Sequence, residues 1–386
     1  MSRPLVSVAP MMALTDRHFR YLARLLAPGV LLYSEMITAK AILHGDRDHL
    51  LGKDAGEGDV VLQLGGDDPE ELARAAAIGE SYGYVEINLN VGCPSERVAK
   101  GNFGACLMAD PKLVGRGLAA MKAATSVPVS VKHRIGIDDA DAFSDLRTFV
   151  DIVDEESAGV VSAYTVHARK AWLQGLSPKE NRSVPPLRYE DVWRLKAERP
   201  ELVIEVNGGI ASLSEVQRQL EHVDGVMLGR AVYEDPTLLV RLSSGLSLGG
   251  SADSVPGGAG ALQKLSRGAV VERMVAYTQA QLANGAQLGS ITRHLLNLYK
   301  GVPGARSWRR TLTEGAPRPA AGAELLREAL AQVPEHVSNA PLADGGGDRS
   351  AASVGMTAGA SVAEGAQVLA GDDQMLDLVG AFTDTR

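Results

Sequence analysis

Both cysteines of the 386-residue chain lie in one stretch, EINLNVGCPSERVAKGNFGACLM (residues 86–108). Cys93 follows an apolar run, precedes Pro94 and has Asn90, Arg97 and Lys100 nearby, so it reads as a loop thiol. A free thiol with a pKa of about 8.5 stays mostly protonated at neutral pH and can act as a general acid. Should Arg97 or Lys100 lower that value, the same group becomes a nucleophile. Cys106, within GACLM, reads as an inert packing cysteine. Asn90 carries both a donor and an acceptor and can match an amide edge, a uracil base included.

Other chemistry-bearing residues follow apolar runs in the same way. Lys132 and His167 end neighbouring β-rich segments, and Gln63 ends another. Two cationic or switchable groups facing one pocket suit a cofactor that gains negative charge on reduction, as a flavin does. Gly208-Gly209 in NGGI and Gly229-Arg230 in LGR are either turns or a phosphate cradle. Glycines let backbone N–H groups approach an anion, and Arg230 adds a charge-assisted contact. No GxGxxG follows a strand, so a Rossmann-type dinucleotide site is not expected.

The elements that must position these residues are legible as alternation. Eight β-rich segments start near residues 5, 30, 60, 84, 128, 160, 202 and 225, with amphipathic stretches such as PEELARAAAIGESYG and SEVQRQLEHV between them. Eight β/α repeats in about 240 residues predict a (β/α)8 TIM barrel, with an open doubly wound sheet as the competitor. The polar, Gly-rich and basic residues then collect at the C-terminal ends of the strands, where barrel active sites lie. The Gly/Ser-rich SSGLSLGGSADSVPGGAGA predicts a linker. We therefore expect a barrel over 1–245, a linker over 246–261, a small all-helical domain over 262–332 and a disordered acidic tail over 333–386.

Charge is uneven. The whole chain carries −8, yet residues 264–330 hold ten Lys/Arg against four Glu, while 333–386 hold two basic residues against eight acidic. A basic helical domain is what a polyanion needs. Two cysteines exclude a disulfide framework, and their spacing matches no zinc pattern. No apolar run is long enough to cross a bilayer and the N-terminus lacks a signal-peptide core, so the cytoplasm is the expected compartment.

These stretches resemble the tRNA-dihydrouridine synthases, A-type subfamily. The matching runs include APMMALTDRHFR, YSEM, QLGG, EINLNVGCPSERV, VKHRIGID, NGGI, GVMLGRAVYEDP, GARSWRRTL and the more specific HARKAWLQGLSPKENR. The resemblance implies an FMN-binding barrel, reduced by NADPH, that reduces a uracil in the tRNA D loop at positions 20 and 20a. Cys93 matches the family's catalytic cysteine, expected to protonate C5 while hydride reaches C6. Flavin contacts carry over to Pro10, Met11, Met12, Gln63, Lys132, His167, Asn207, Gly208, Gly209, Gly229 and Arg230. RNA contacts carry over to Asn90, Lys179, Arg182, Arg306 and Arg309. No metal, DNA or membrane partner is expected, and the expected state is monomeric. Two other readings compete: an FMN barrel acting on a small molecule, and an RNA-binding protein without catalysis.

Overall fold

In the computed structural model, residues 5–95, 101–248 and 264–342 are described. Eight parallel strands close into a barrel in sequence order: β1 Val6–Val8, β2 Leu31–Thr38, β3 Val60–Gly65, β4 Glu86–Val91, β5 Val129–Arg134, β6 Val161–His167, β7 Ile204–Asn207 and β8 Gly225–Leu228. The pairing of β1 with β8, Val6 opposite Val226 and Val8 opposite Leu228, decides for the barrel over the open sheet. All eight strands fall within a few residues of the expected positions. The second is longer than expected, because a bulge between Tyr33 and Met36 lets it run on beside β3 as far as Thr38.

Helix starts follow from local capping. Asp68 accepts hydrogen bonds from the N–H groups of Glu70 and Glu71 ahead of the helix Pro69–Ser81. Asp110 caps Pro111–Ala124, and Ser212 caps Leu213–Leu220. Each cap satisfies N–H groups that the helix itself leaves unpaired, and proline at the first helical position gives up none. Helices and strands share a core of Val, Leu, Ile and Ala, including Leu62, Leu118, Val131, Val206 and Leu239.

Beyond the barrel come the helices Arg267–Ala283, Leu288–Thr292, Ala305–Gly315, Glu324–Leu330 and Glu335–Asn339. They belong with the barrel to one compact unit, Met1–Asp344. The barrel's first helix, Arg17–Leu26, meets them. Tyr21 stacks on Tyr277 with ring centroids 3.9 Å apart, and His18 Nδ1 lies 2.8 Å from the Tyr277 hydroxyl. Asp16, which caps that helix, also accepts from Arg293 at 2.5 Å and from His294 at 3.0 Å.

The expected boundaries shift at two places. Leu246 and Leu248 pack against the core, so the barrel runs past 245. The helical part extends ten residues beyond 332: Val333, Val337 and Leu342 are buried, and Leu342 N–H donates to the Leu265 carbonyl at 2.8 Å. Acidic composition over the whole stretch 333–386 masked this short apolar closure. Most of the expected linker, 249–261, and the tail from 343 lie outside the described residues. Among the described residues, no helix is long and apolar enough to cross a membrane and no cluster of metal-ligating side chains occurs.

Candidate active site

Alternation along the strands sends one face of each into the barrel, and the register lines those faces up. Gln63 stands opposite Asn88, Asn90 opposite Lys132, Arg134 opposite His167, and His167 opposite Asn207. Residues separated by up to 144 positions thus share the C-terminal end of one barrel.

A buried hydrogen-bond chain crosses its interior. The Asn90 side-chain N–H donates to Gln63 Oε1 at 2.8 Å, and Gln63 Nε2 donates to Asn88 Oδ1 at 2.8 Å. Asn88 in turn donates to Ser130 Oγ at 2.8 Å, and that hydroxyl donates to Glu86. Asn90 Oδ1 accepts from the backbone N–H groups of Gly92 at 3.1 Å and Cys93 at 3.0 Å. Asn90 is therefore engaged in holding the Cys93 loop, a role that its position two residues before Gly92 leaves open in the sequence.

Cys93 is half-buried, with Sγ 3.7 Å from Ser95 Oγ, and its carbonyl accepts from Ala105 N–H at 2.9 Å. That last bond joins the Cys93 loop to the turn carrying Cys106. The Cys106 thiol lies 3.1 Å from the Phe103 carbonyl, and burial pushes its pKa up, away from thiolate chemistry. Arg97 and Lys100 lie outside the described residues.

The rim beside this loop is basic. Lys132 donates to Asn207 Oδ1 at 3.0 Å, and Asn207 Nδ2 donates to the Met227 carbonyl at 2.7 Å. Burial, with the nearby Arg134 charge, pushes the Lys132 ammonium down to about 7. His167 is held well below its ordinary value by burial, and the charges of Arg134, Lys132, Arg169 and Arg230 add to this, so it is neutral at physiological pH. Arg230 is exposed at the start of the helix Arg230–Glu234. Arg182, on the segment after β6, is pushed down by partial desolvation and by Arg230. Lys179 is exposed on the same segment. This gathering of mutually repelling cations fits an anionic ligand, since a phosphate would relieve both desolvation and repulsion.

Glycine is required at the NGGI turn. Gly208 and Gly209 have φ of 119° and 70°, where side chains are strained. A Cβ on Gly208 would come within 2.8 Å of the His167 ring, and one on Gly209 within 2.6 Å of Leu187. Gly229 faces Met11 and Ala9, with Met11 Sδ 3.6 Å from where its Cβ would be. Pro10 and Met11 are half-buried beyond β1, and Met12 is 62% exposed, an apolar side chain open to a ligand. The turn after them holds Ala13 at φ 60°, where Glu35 accepts its N–H at 2.5 Å.

Arg306 and Arg309 lie elsewhere, on the helix Ala305–Gly315. Arg306 is exposed, whereas Arg309 donates to Asn297 Oδ1 at 2.8 Å and to the Leu296 carbonyl at 3.3 Å. Asn88, Asn181, Glu35 and Arg134 are site-region residues that sequence reasoning missed. For Asn88 and Arg134 a signal exists: each lies two positions from a chosen residue (Asn90, Lys132) on the same strand, hence on the same face.

Residues 7–334 match the family model described as dihydrouridine synthase. The chain belongs to the dihydrouridine synthase family. It is 55% identical over 325 residues to a tRNA-dihydrouridine(20/20a) synthase of Synechocystis sp., covering 84% of this chain and 93% of that protein. Proteins of the same name from Vibrio parahaemolyticus and Xanthomonas campestris pv. campestris are 50% and 51% identical, covering 86% and 84% of this chain and 98% and 92% of theirs. The match takes in the barrel and nearly all of the helical region. It ends close to where the described fold ends.

Proposed function

We propose that this protein reduces uridine to 5,6-dihydrouridine in the D loop of tRNA, at positions 20 and 20a, using FMN reduced by NADPH. The observation that carries the reading is a half-buried thiol on a loop fixed by Asn90, beside Lys132, Arg134 and Arg182 on a barrel rim whose glycine turn and Arg230 fit a flavin phosphate. The names of the Synechocystis, Vibrio and Xanthomonas relatives support the substrate.

Bound FMN, once reduced, supplies the hydride that adds to uracil C6. The chain's own residues do the rest. Gly208, Gly209, Gly229 and Arg230 would hold the phosphate; Pro10, Met11, Met12, Gln63, Lys132, His167 and Asn207 would frame the ring system. Lys132 would offer a hydrogen bond or positive charge to the ring, and its value of about 7 allows either protonation state at neutral pH. Cys93 donates its proton to C5, and the thiolate it leaves is reprotonated from solvent. Lys179, Arg182 and Arg306 would engage RNA phosphates, offsetting the cost of turning a base out of its stack, on the order of a few kcal/mol.

Replacing Cys93 with Ala tests this assignment. NADPH should still bleach the bound flavin, while uridine reduction should fall by roughly 10²–10⁴, the loss typical of a missing general acid. Cys106→Ala should behave as wild type. Near-normal turnover of unmodified tRNA by the Cys93 variant would remove that thiol from the mechanism. Free uridine and dihydroorotate serve as controls for a small-molecule oxidoreductase.

A further inference from the structure

Arg134 is 4% exposed, and it spends its donors on backbone carbonyls alone. Nε donates to the Gly92 carbonyl at 2.8 Å, while Nη1 donates to the Lys170 carbonyl at 2.9 Å and the Asn181 carbonyl at 3.0 Å. The three acceptors belong to two segments. One is the Cys93 loop, in which the Gly92 N–H is already taken by Asn90. The other is the long connection after β6, which carries Lys179 and Arg182.

That connection is itself closed into a stiff loop. Asn181 is fully buried; its Oδ1 accepts from Trp172 N–H at 2.8 Å, and its Nδ2 donates to the carbonyls of Trp172 at 2.9 Å and Leu176 at 3.1 Å. Lys170 donates to the Asp138 carbonyl at 2.9 Å and lies 4.0 Å from the centre of the Trp172 ring. Displacement of this loop would therefore be carried as a body to Asn181 and Lys170, whose carbonyls Arg134 grips.

We propose that Arg134 is a positioning residue that couples the seating of the 170–182 segment to the placement of the Cys93 loop. A planar guanidinium can span three carbonyls in fixed directions; a lysine ammonium cannot. Burial makes an unfilled carbonyl here costly, so the two segments keep or lose their places together. RNA contacts made by Lys179 and Arg182 thus bear on the geometry of the thiol without either side chain touching it. The catalytic consequence rests on Cys93 being the acid; the mechanical coupling does not.

Hydrogen exchange on the full-length flavoprotein carrying Arg134→Lys tests the coupling directly. Amides in 91–95 and in 170–182 should both exchange faster by about tenfold or more, while those of β3 and β7 keep wild-type protection. In the same variant, kcat on tRNA should fall with NADPH-dependent flavin reduction retained. Loosening of only one segment, or of neither, overturns the proposal. Should Arg134→Lys fail to fold, Asn181→Ala provides the second route: it frees the 172–181 loop directly, and faster exchange should then appear in 91–95 as well. Wild-type exchange in 91–95 of that variant also overturns the proposal. If Cys93→Ala turns over tRNA normally, the acid assignment falls, and the exchange results still decide the coupling.

Discussion

Lys132 shows how one residue's environment sets its chemistry. Burial and Arg134 lower its ammonium to about 7, so in the ligand-free protein it is partly neutral at pH 7. A ring carbonyl that accepts from it, with the phosphate's negative charge in the same site, favours the charged form and raises that value. Binding FMN then takes up a proton above neutrality, and the affinity should weaken as pH rises past about 7, by at most roughly tenfold per unit. Titrations of the apoprotein with FMN across the neutral to alkaline range check this, with Lys132→Met expected to flatten the profile. An identical slope in both proteins would show that Lys132 does not face the cofactor. His167, already neutral there, contributes no such slope. Lys132 and His167 were legible as candidates because each ends an apolar run. The depression of His167 was not, because it arises from burial in the folded barrel and, after that, from cations that include Lys132, Arg134 and Arg230 on other strands and helices.

At the scale of elements, the segment after β6 and the helix Ala305–Gly315 present the basic residues proposed to grip RNA. They are not equivalent. Lys179, Arg182 and Arg306 are exposed, while Arg309 braces Asn297, which in turn donates to the Tyr233 carbonyl at 3.2 Å. Charge reversal of Lys179 with Arg182, or of Arg306 alone, should weaken tRNA binding and leave flavin content unchanged. Each lost phosphate contact should make the dependence of log K on log salt shallower by about 0.7–0.9. Affinities measured at several salt concentrations provide the check, and unchanged slopes would put the RNA on another face. Arg309→Glu should instead lower thermal stability, because it strands the Leu296 carbonyl and Asn297. Spacing in GARSWRR puts 306 and 309 on one helical side; which of them packs depends on a neighbour twelve residues away.

Across the whole molecule, barrel and helices share one folded unit, and its closure depends on residues that the composition of the C-terminal stretch conceals. Leu342 is 2% exposed and Val337 is 8% exposed, on the last described turns beside Leu265 and the helix Arg267–Ala283. Leu342→Ala should destabilise by about 2–5 kcal/mol, and Val337→Ala by less, since fewer atoms are removed. Denaturant unfolding of the full chain measures both; values within error of wild type would mean that this turn contributes nothing to the fold. Deleting everything after 332 should likewise lower stability. Asp16 makes the same unit pH-sensitive. Burial alone would raise its carboxyl, but His294 and Arg293 override that and hold it well below the ordinary carboxylate range. Its contribution is present above the unfolded value of about 4 and is lost as pH falls below it.

Periodicity by itself determined the eight repeats, because alternating burial leaves a pattern that survives without coordinates. Residue type and position at strand ends likewise singled out Cys93, Lys132 and His167 as candidates. The tertiary structure decided closure, since only the pairing of β1 with β8 distinguishes a barrel from an open sheet. It also decided the partners. Asn90 was chosen for its hydrogen-bonding edge, yet that edge is occupied by Gln63 and by the backbone of the Cys93 loop. Arg134 reads as one more basic residue in KHRIG, and its grip on Gly92, Lys170 and Asn181 exists only once strands and loops far apart in sequence are brought to one rim. Local pattern encodes which face a residue takes. What it meets there depends on register and loop path, which no short window of sequence contains.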